Sequence, residues 1–345
     1  MLNGNLALEA CGWRGLIPPA YILRNRKFRG VVKDPPDFNP GSWIGASSVL
    51  VDYDSGEFWL TARPRRAPPL RGYAMIIYRS FDGEDYREVV RLTTEDLTSM
   101  SGQNVASIEA QQLIRDPATG KYYLYVSVDT RGSGEVEGRW DTFLLISDDP
   151  SGPWEYHGLA WKRGAEYDSH EARDATIGIV DGMYFALYKA SNAPKGEGRT
   201  NVALATSRDG LEWRKHGILK VNGEAQPDYL QLYGGIFAGT MGPVFIGLAR
   251  RYLINGCGLA RHFEAYIIDY RNMNLELLYR AYWKPLSPYE REDYPSHGYM
   301  NIIEDPYRNR ILLYLESIDP KYTGEIGWRS QVDRLILYET RMPEL

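Results

Sequence analysis

The chain has little cysteine and no long apolar run, and each shortage excludes a class of protein. Its two cysteines, Cys11 and Cys257, are far apart in the sequence, which favours two thiols in a reducing compartment over a disulfide or a metal site. No apolar run approaches the roughly 18 residues that a membrane-spanning helix needs. The first residues lack a basic segment and include Glu9, so we expect no signal peptide and a cytoplasmic protein.

A block of positive charge is also missing. The net charge is −5 at pH 7, and the lysines and arginines form no basic cluster along the chain. Neither nucleic acid nor a membrane is therefore an expected partner. Hydrophobic residues make up 43% of the chain and charged residues 25%, which are the proportions of an ordinary globular protein. A monomer and a homo-oligomer both remain open.

The stretch 107–158 is the most regular part of the sequence. Residues 112–115 and 121–127 are predicted strands on either side of the turn D-P-A-T-G, a pattern typical of a β-hairpin. Residues 142–147 form a third predicted strand, and W-E-Y from Trp154 starts a fourth. Four antiparallel strands in about 50 residues is the size of one blade of a β-propeller.

The same pattern recurs along the chain at intervals of roughly 60 residues, as expected of a propeller blade with long loops. The copies begin near Ser47, Ser107, Arg173, Gly234 and Tyr299. We therefore predict an all-β fold, a five-bladed β-propeller of four-stranded antiparallel blades. This single domain covers residues 41–345, and its last strand, 334–340, completes the last blade.

Residues 1–40 are rich in proline and arginine and show no strand period. The segments 17–20 and 33–40 each contain a Pro-Pro pair, which predicts extended, turn-like backbone. We interpret them as a strand or an N-terminal arm that precedes the first blade, packs on the propeller and helps to close the ring or covers its axis. Such an arm can bring Asp34 and Asp37 to the central funnel, although both could equally cap turns.

Residues at matching ends of the five first strands are expected to meet, because the first strand of each blade lines the central channel of a propeller. These positions hold Ser47 with its neighbours, Glu109, Glu171 with Asp174, Tyr233 and His297. The segment 167–174, Y-D-S-H-E-A-R-D, is the densest run of titratable groups in the chain. It stands directly before the predicted strand 175–180.

Carboxyl groups that meet in such a funnel can cleave a glycosidic bond. One carboxyl, kept protonated, serves the leaving oxygen, and an ionised one acts on the other face of the sugar. We predict Asp174 or Glu171 as the general acid, Glu109 as its charge partner, and Asp37 or Asp34 as the base. The predicted substrate contacts are Trp43, Arg63, Gln111, His170, Arg173, Tyr233 and His297. A purely structural role at strand ends is the alternative for each residue.

Two further segments contain acidic residues but are interpreted as turns. The sequences S-F-D-G-E-D-Y at 80–86 and S-R-D-G-L-E-W at 207–213 resemble the Asp-box turn of sialidases. Aspartate and glycine suit the bend itself, and the aromatic residue is expected to pack into the core. We assign these segments no catalytic role.

The motifs resemble those of the five-bladed propeller glycosidases, glycoside hydrolase families 43, 32 and 130. S-I-E-A at 107–110, followed by G-K-Y-Y-L-Y at 120–125, resembles the family 43 pattern S-I-D-P…G-K-x-Y-L-Y. R-D-A-T-I from Arg173 is similar to the K-D-A-x-L-F segment of family 130. The resemblance implies that Glu109 takes the place of the aspartate that assists the acid. It also implies that His297 lies on the axis as a candidate ligand of a structural calcium ion, with no other cofactor.

The chain departs from both families at catalytic positions. G-A-S-S at 45–48 stands where family 43 has its basic aspartate, and Ala110 stands where family 130 has its catalytic one. We predict a glycoside hydrolase acting on an oligosaccharide or polysaccharide, with inversion and with carboxyl groups about 6.5–9.5 Å apart. A glycoside phosphorylase and a non-catalytic carbohydrate-binding propeller are the alternatives.

Overall fold

The computed structural model describes residues 18–130, 139–194 and 196–342. Regular structure in these ranges is mostly β-strand, with two short α-helices, α1 (Pro19–Asn25) and α2 (Thr94–Ser101). No helix in the described ranges is both long enough and apolar enough to cross a membrane. Cys11 and most of the polar loop near residue 135 lie outside the described residues.

The strands pair in five successive antiparallel groups. The first group contains β2 (Trp43–Asp52), β3 (Glu57–Arg65), β4 (Ala74–Ser80) and β5 (Arg87–Thr93). The second contains β6 (Ser107–Arg115), β7 (Tyr122–Asp129), β8 (Trp140–Ser147) and β9 (Glu155–Trp161). The third contains β10 (Glu171–Val180), β11 (Met183–Ser191), β12 (Thr200–Ser207) and β13 (Arg214–Ile218).

The last two groups follow the same order. The fourth contains β15 (Gln231–Gly239), β16 (Gly242–Ile254), β17 (Cys257–Asp269) and β18 (Asn274–Tyr282), with the short β14 (Lys220–Val221) beside β18. The fifth contains β19 (Ser296–Asp305), β20 (Arg310–Ile318) and β21 (Asp333–Arg341). Its outer strand is β1 (Lys27–Lys33), from the beginning of the described chain.

The first strands of the five groups contact one another in a closed ring. In order around this ring, β2 touches β6, β6 touches β10, β10 touches β15, β15 touches β19, and β19 returns to β2. This is the arrangement of a β-propeller, and the prediction of an all-β fold is confirmed. Matching ends of distant strands are therefore brought together.

Burial falls from the inner strands to the outer ones. Every residue of β7 and β20 is buried, whereas β5, β9 and β18 have exposed residues along their length. Inner strands lie between two neighbouring sheets and read as continuous apolar runs, while outer strands face water on one side. A charged residue in an inner strand must therefore have a partner or a function.

The N-terminal segment contains a helix where extended backbone was predicted, but it also joins the last strand group as a strand, one of the two forms predicted. Pro19 begins α1, since a proline in the first helical turn lacks only an N–H that would have no partner in the helix. The next strand, β1, then pairs with β21 from Lys27 opposite Glu339 to Lys33 opposite Leu335. The strand predicted to complete the last blade is thus not its outer strand, because the beginning of the chain adds one more.

The strand β10 starts earlier than predicted, at Glu171 instead of residue 175. Its pairing with β11 slips between Arg173 and Thr176, and Asp174 has a φ of 53°. This irregularity is a β-bulge, which leaves extra residues unpaired and bends the strand. Part of the polar run predicted to precede the strand therefore lies within it.

The segments likened to Asp-box turns are turns in the structure. The backbone N–H of Gly210, at a φ of 72°, donates to Ser207 Oγ at 2.9 Å, and Asp209 Oδ1 accepts from two further backbone N–H groups. The indole of Trp213 donates to the carbonyl of Gly210 at 2.9 Å. These side chains shape the bend, as predicted.

Candidate functional site

Three of the first strands carry a bulge at the same register position. Pairing of β2, β6 and β10 with their second strands is interrupted once in each, and two residues stand unpaired there. The first unpaired residue of each bulge is, in chain order, Ala46, Glu109 and Asp174. The bulges meet on the axis, where Ala46 and Ala110 pack against Tyr233 and Tyr299.

Glu109 is held between two arginines of the first group. Its Oε2 lies 3.2 Å from Arg63 Nη2, and its Oε1 lies 3.5 Å from Arg65 Nη1. Burial by itself raises the pKa of Glu109, but Arg63, Arg65 and Arg173 outweigh burial and lower the pKa to about 2. Glu109 is therefore ionised at neutral pH.

Glu171 lies between two cations of its own group. Its Oε1 is 3.1 Å from Arg173 Nη2, and its Oε2 is ion-paired with Lys189 Nζ. Burial raises the pKa of Glu171, but Arg173 and Lys189 outweigh burial and hold the pKa well below its usual value. Arg173 also stacks on Trp140, with Cζ 3.9 Å from the ring centroid. Glu171 is thus a permanently charged anchor for these cations.

Asp174 stands on the bulge of β10 and makes different contacts. The hydroxyl of Tyr299 donates to its Oδ2 at 3.0 Å, and the backbone N–H of Ala110 reaches its Oδ1 at 3.4 Å. Arg173 Nη1 lies 3.4 Å from Oδ2. The backbone N–H of Asp174 donates to Ser127 Oγ at 2.9 Å. Residues of three different strand groups therefore hold the Asp174 carboxyl on the axis.

Arg250 packs against two tyrosines of the axial cluster, Tyr233 and Tyr299, and we call these three residues the cationic and aromatic wall. Arg250 Cζ lies 4.8 Å from the ring centroid of Tyr233 and 4.6 Å from that of Tyr299. Its Nη1 donates to Gln231 Oε1, and its Nε donates to the carbonyl of His297, both at 2.7 Å. Arg250 thus links the fourth group to the first strand of the fifth.

Trp43 and His297 pack against each other beside this wall. Their ring centroids are 4.6 Å apart, and Arg65 Cζ lies 4.0 Å from the Trp43 ring. The Nδ1 of His297 is 3.0 Å from Cys257 Sγ. Trp43 is 1% exposed, so its ring supports protein groups that face the axis.

The structure gathers most of the predicted site residues into this axial cluster. Those brought together are Glu109, Glu171, Asp174, Trp43, Arg63, Arg173, Tyr233 and His297. Gln111 is also buried, and its side-chain amide donates to the carbonyl of Glu109 within β6. His170 borders β10, where its backbone N–H donates to the carbonyl of Ser191 at 2.9 Å.

Asp34 and Asp37 do not join the cluster. Asp34 is paired with Arg334 at 3.3 Å and has a 56% exposed side chain, and Asp37 is paired with Arg66 at 3.0 Å. The Oδ1 of Asp37 also accepts the backbone N–H of Asn39 at 3.0 Å. That bond is the turn-capping role that the sequence left open for this residue.

Several cluster residues were missed by sequence reasoning, and most of them lie at the ends of inner second strands. Each is a buried charged residue of a second strand: Arg65 in β3, Lys189 in β11, Arg250 in β16 and Glu316 in β20. Only Arg63, the neighbour of Arg65, was predicted. A search for charge within buried strands, and not only at the starts of first strands, would have found them.

His297, Glu316 and Asp333 offer ligand atoms within 4.8 Å of one another and are all buried. Both Asp333 oxygens accept from Gln331 Nε2, at 3.0 and 2.8 Å, and Glu316 Oε2 accepts the Ala46 N–H at 2.6 Å. Calcium takes roughly six to eight oxygen ligands. Two carboxylates and one imidazole supply only part of such a ligand set, so a calcium ion at this place stays a prediction, and the mechanism proposed for this protein uses no metal.

Comparison with protein-family models gives no match, and comparison with curated proteins gives none either. Solved structures do match. A thermostable family-43 glycoside hydrolase aligns with a TM-score of 0.59 and 16% identity, over 88% of this chain and 95% of its own. The fold is that of the glycoside hydrolase propellers.

Two other solved structures extend the comparison. A family 117 glycoside hydrolase from the marine bacterium Zobellia galactanivorans aligns with a TM-score of 0.56 and 15% identity, over 91% of this chain and 89% of its own. An N-acetylgalactosamine deacetylase from F. plautii, in complex with blood group B trisaccharide, has a TM-score of 0.61 and 11% identity, over 92% and 95%. At these identities the likeness shows the fold, and the resemblance indicated by the sequence is confirmed at that level.

Proposed function

We propose that this protein is a glycoside hydrolase that cleaves a glycosidic bond in an oligosaccharide or polysaccharide by carboxylate acid–base catalysis, with inversion. The observation that carries the proposal is the pair of acids, Glu109 and Asp174, at matching bulges of neighbouring first strands. Buried carboxylates cost free energy unless they are paired, and an apolar residue would fill either position. We further propose that the five strand groups are the blades of one five-bladed propeller, with β1 completing the fifth.

In this mechanism Asp174 is the general acid. Glu171, the other candidate, is held ionised by Arg173 and Lys189 and has no proton to give at neutral pH. Asp174 donates its proton to the glycosidic oxygen as the bond from that oxygen to the anomeric carbon breaks. A water molecule attacks the anomeric carbon from the opposite face and loses a proton to a base. Glu109, ionised throughout, is the charge partner of the acid.

The surrounding cations supply donors for a hydroxyl-rich ligand. Among the described residues, Arg63 Nε and Nη1 and Arg250 Nη2 are buried without a hydrogen-bond acceptor. Unpaired buried donors cost free energy, and sugar hydroxyls accept hydrogen bonds. The deacetylase with the same fold was solved with a bound trisaccharide, which supports carbohydrate as the partner.

Two observations favour other functions of the same fold. The unpaired N–H groups of Arg63 and Arg250 would also suit phosphate, the co-substrate of a glycoside phosphorylase. Ala46 stands at the bulge position that would supply the base of family 43, which favours a non-catalytic carbohydrate-binding propeller. The experiment below separates these functions from hydrolysis.

The test is sugar release from a panel of aryl glycosides, natural oligosaccharides and acetylated amino sugars, with and without phosphate. Hydrolysis predicts release without phosphate and a loss of about 100-fold or more in Asp174→Asn, the scale of lost acid catalysis. Strict dependence on phosphate would indicate a phosphorylase, and release of acetate by amide hydrolysis, with the glycosidic bond intact, would indicate a deacetylase. Binding with no turnover by the wild type would contradict every catalytic assignment.

A further inference from the structure

The proposed mechanism needs a base, and the bulge of β2 carries only Ala46. A carboxylate nevertheless lies beside the bulge of β2, because the side chain of Glu316 extends there from β20. Its Oε2 accepts the backbone N–H of Ala46 at 2.6 Å. A Cβ atom on Gly45 would lie 1.9 Å from the same Oε2. The pair Gly45-Ala46 therefore leaves a space that the Glu316 carboxylate fills.

The bulge of β10 shows which kind of side chain is enough to accept the backbone N–H of a bulge residue. Ser127 stands opposite the bulge of β6, and Glu316 stands opposite the unpaired part of β19, each on the second strand of its group. Each side chain accepts a bulge N–H of the next group, Ser127 from Asp174 at 2.9 Å and Glu316 from Ala46. A hydroxyl is thus sufficient for the cap.

A glutamate at this position costs more than a serine would. Glu316 has no exposed surface, and its carboxylate lies within 4.8 Å of that of Asp333. Burying one carboxyl group beside another is unfavourable. The capping role alone does not explain a carboxylate at this position.

The position of Glu316 relative to the other acids suits catalysis. Arg63 Nη2 lies 3.9 Å from Glu316 Oε2 and 3.2 Å from Glu109 Oε2, so one guanidinium group joins both carboxylates. In the ring of first strands, the junction of β19 and β2 lies across the axis from β10, which carries Asp174. Glu316 and Asp174 therefore approach the axis from opposite sides, as the two carboxyl groups of an inverting glycosidase must.

We propose that Glu316 is the general base of this enzyme and replaces the carboxylate that the β2 bulge lacks. The assignment rests on the proposed hydrolase function. Glu316 takes a proton from water as the water oxygen bonds to the anomeric carbon, while Asp174 protonates the leaving oxygen. One water molecule is consumed, and two products, each with a new hydroxyl group, leave the site.

The first test replaces Glu316 by the residue that serves the same cap in the second group. Glu316→Ser is expected to fold, to retain its KM and to lose about 100-fold or more in kcat, as expected for a lost base. Adding Ala46→Asp to this variant is expected to recover at least tenfold of the loss. Aspartate suits that backbone, since Ala46 has a φ of 50° and Asp174, at the matching position, has a φ of 53°.

The second test uses Glu316→Gln, which is closer in shape and protects the experiment if the serine variant does not fold. Sodium azide attacks without losing a proton, so it is expected to restore turnover and to yield a glycosyl azide. Glu264→Gln, which removes a buried glutamate paired with Arg251 and Arg280 and not with any acid or arginine of the axial cluster, is expected to retain wild-type turnover.

The outcomes separate the two proposals. Wild-type turnover in folded Glu316→Ser would overturn the assignment of the base and leave the hydrolase intact. Inactive variants that neither azide nor Ala46→Asp restores would also overturn it, since a purely structural loss has that signature. A wild-type protein that cleaves no glycan would overturn both.

Discussion

The buried glutamates Glu109 and Glu264 are each held by two arginines, yet only Glu109 lies in the candidate site. Glu264 on β17 is bonded to Arg251 at 3.0 Å and to Arg280 at 2.8 Å, and both arginines lie on strands next to β17 in the same sheet. Glu109 on β6 takes its two arginines from β3, a strand of another group. The chemistry is similar, and the topology differs.

The difference shows how a structural ion pair is told apart from a candidate site. Burial raises the pKa of Glu264, but Arg251, Tyr266 and Arg280 outweigh burial and lower it, as the arginines do for Glu109. The partners of Glu264 reach solvent, since the Arg280 side chain is 42% exposed, whereas that of Arg63 is fully buried. A lowered pKa alone therefore does not identify a site, but the convergence of charges from separate groups on the ring axis does.

Among substitutions of Glu109, Glu304 and Glu264, the largest effect is expected from Glu109→Gln. Removing this charge leaves Arg63 buried without its closest anion, which costs about 3–5 kcal/mol, and it removes the charge partner of Asp174. We expect a lower midpoint of urea unfolding together with a fall in kcat of about 100-fold, the scale of lost acid–base assistance. Normal turnover in a folded variant would place Glu109 with Glu264 as a structural residue.

Another buried glutamate, Glu304, forms no ion pair with any residue in the described ranges. Burial alone raises its pKa from 4.5 to about 7. Because the folded-state pKa is the higher one, its contribution to stability is fully present below pH 4.5 and is lost as the pH rises to about 7. The loss is about 3 kcal/mol. Unfolding free energies of wild type and Glu304→Gln, measured from pH 4 to 8, should differ by this pH-dependent amount, and parallel curves would contradict the prediction.

The smallest effect is expected from Glu264→Gln, the matched control for Glu109→Gln. Its arginines can turn to solvent, and partly exposed ion pairs contribute about 1 kcal/mol or less. We expect unchanged kcat and KM on any substrate that the wild type cleaves, with a small decrease in thermal midpoint. A loss of turnover as large as that of Glu109→Gln would remove the distinction between the two clusters.

Much of the architecture was readable from the chain, because repeating β-hairpins are local patterns. The turn at residues 116–120 and the hairpin around it form where they were predicted. The bulge at Asp174 could not be predicted from the sequence, because the pairing of β10 with β11 shifts at that point where the first strands meet in the ring. Nor was the pairing of β1 with β21, which joins segments about 300 residues apart, and loop closure over such a distance leaves no local pattern.

The sequence by itself determined the strand period, the recurrence of antiparallel strand groups and the acids Glu109, Glu171 and Asp174 as candidates, because alternation, turn residues and titratable groups are properties of short segments. Only the tertiary structure decided which carboxyls share a guanidinium group, which acids remain at the surface, and that Glu316 fills the space beside Ala46. These outcomes depend on distances across the ring between separate groups. Burial and charge pairing act through space, and the spacing of residues along the chain does not record them.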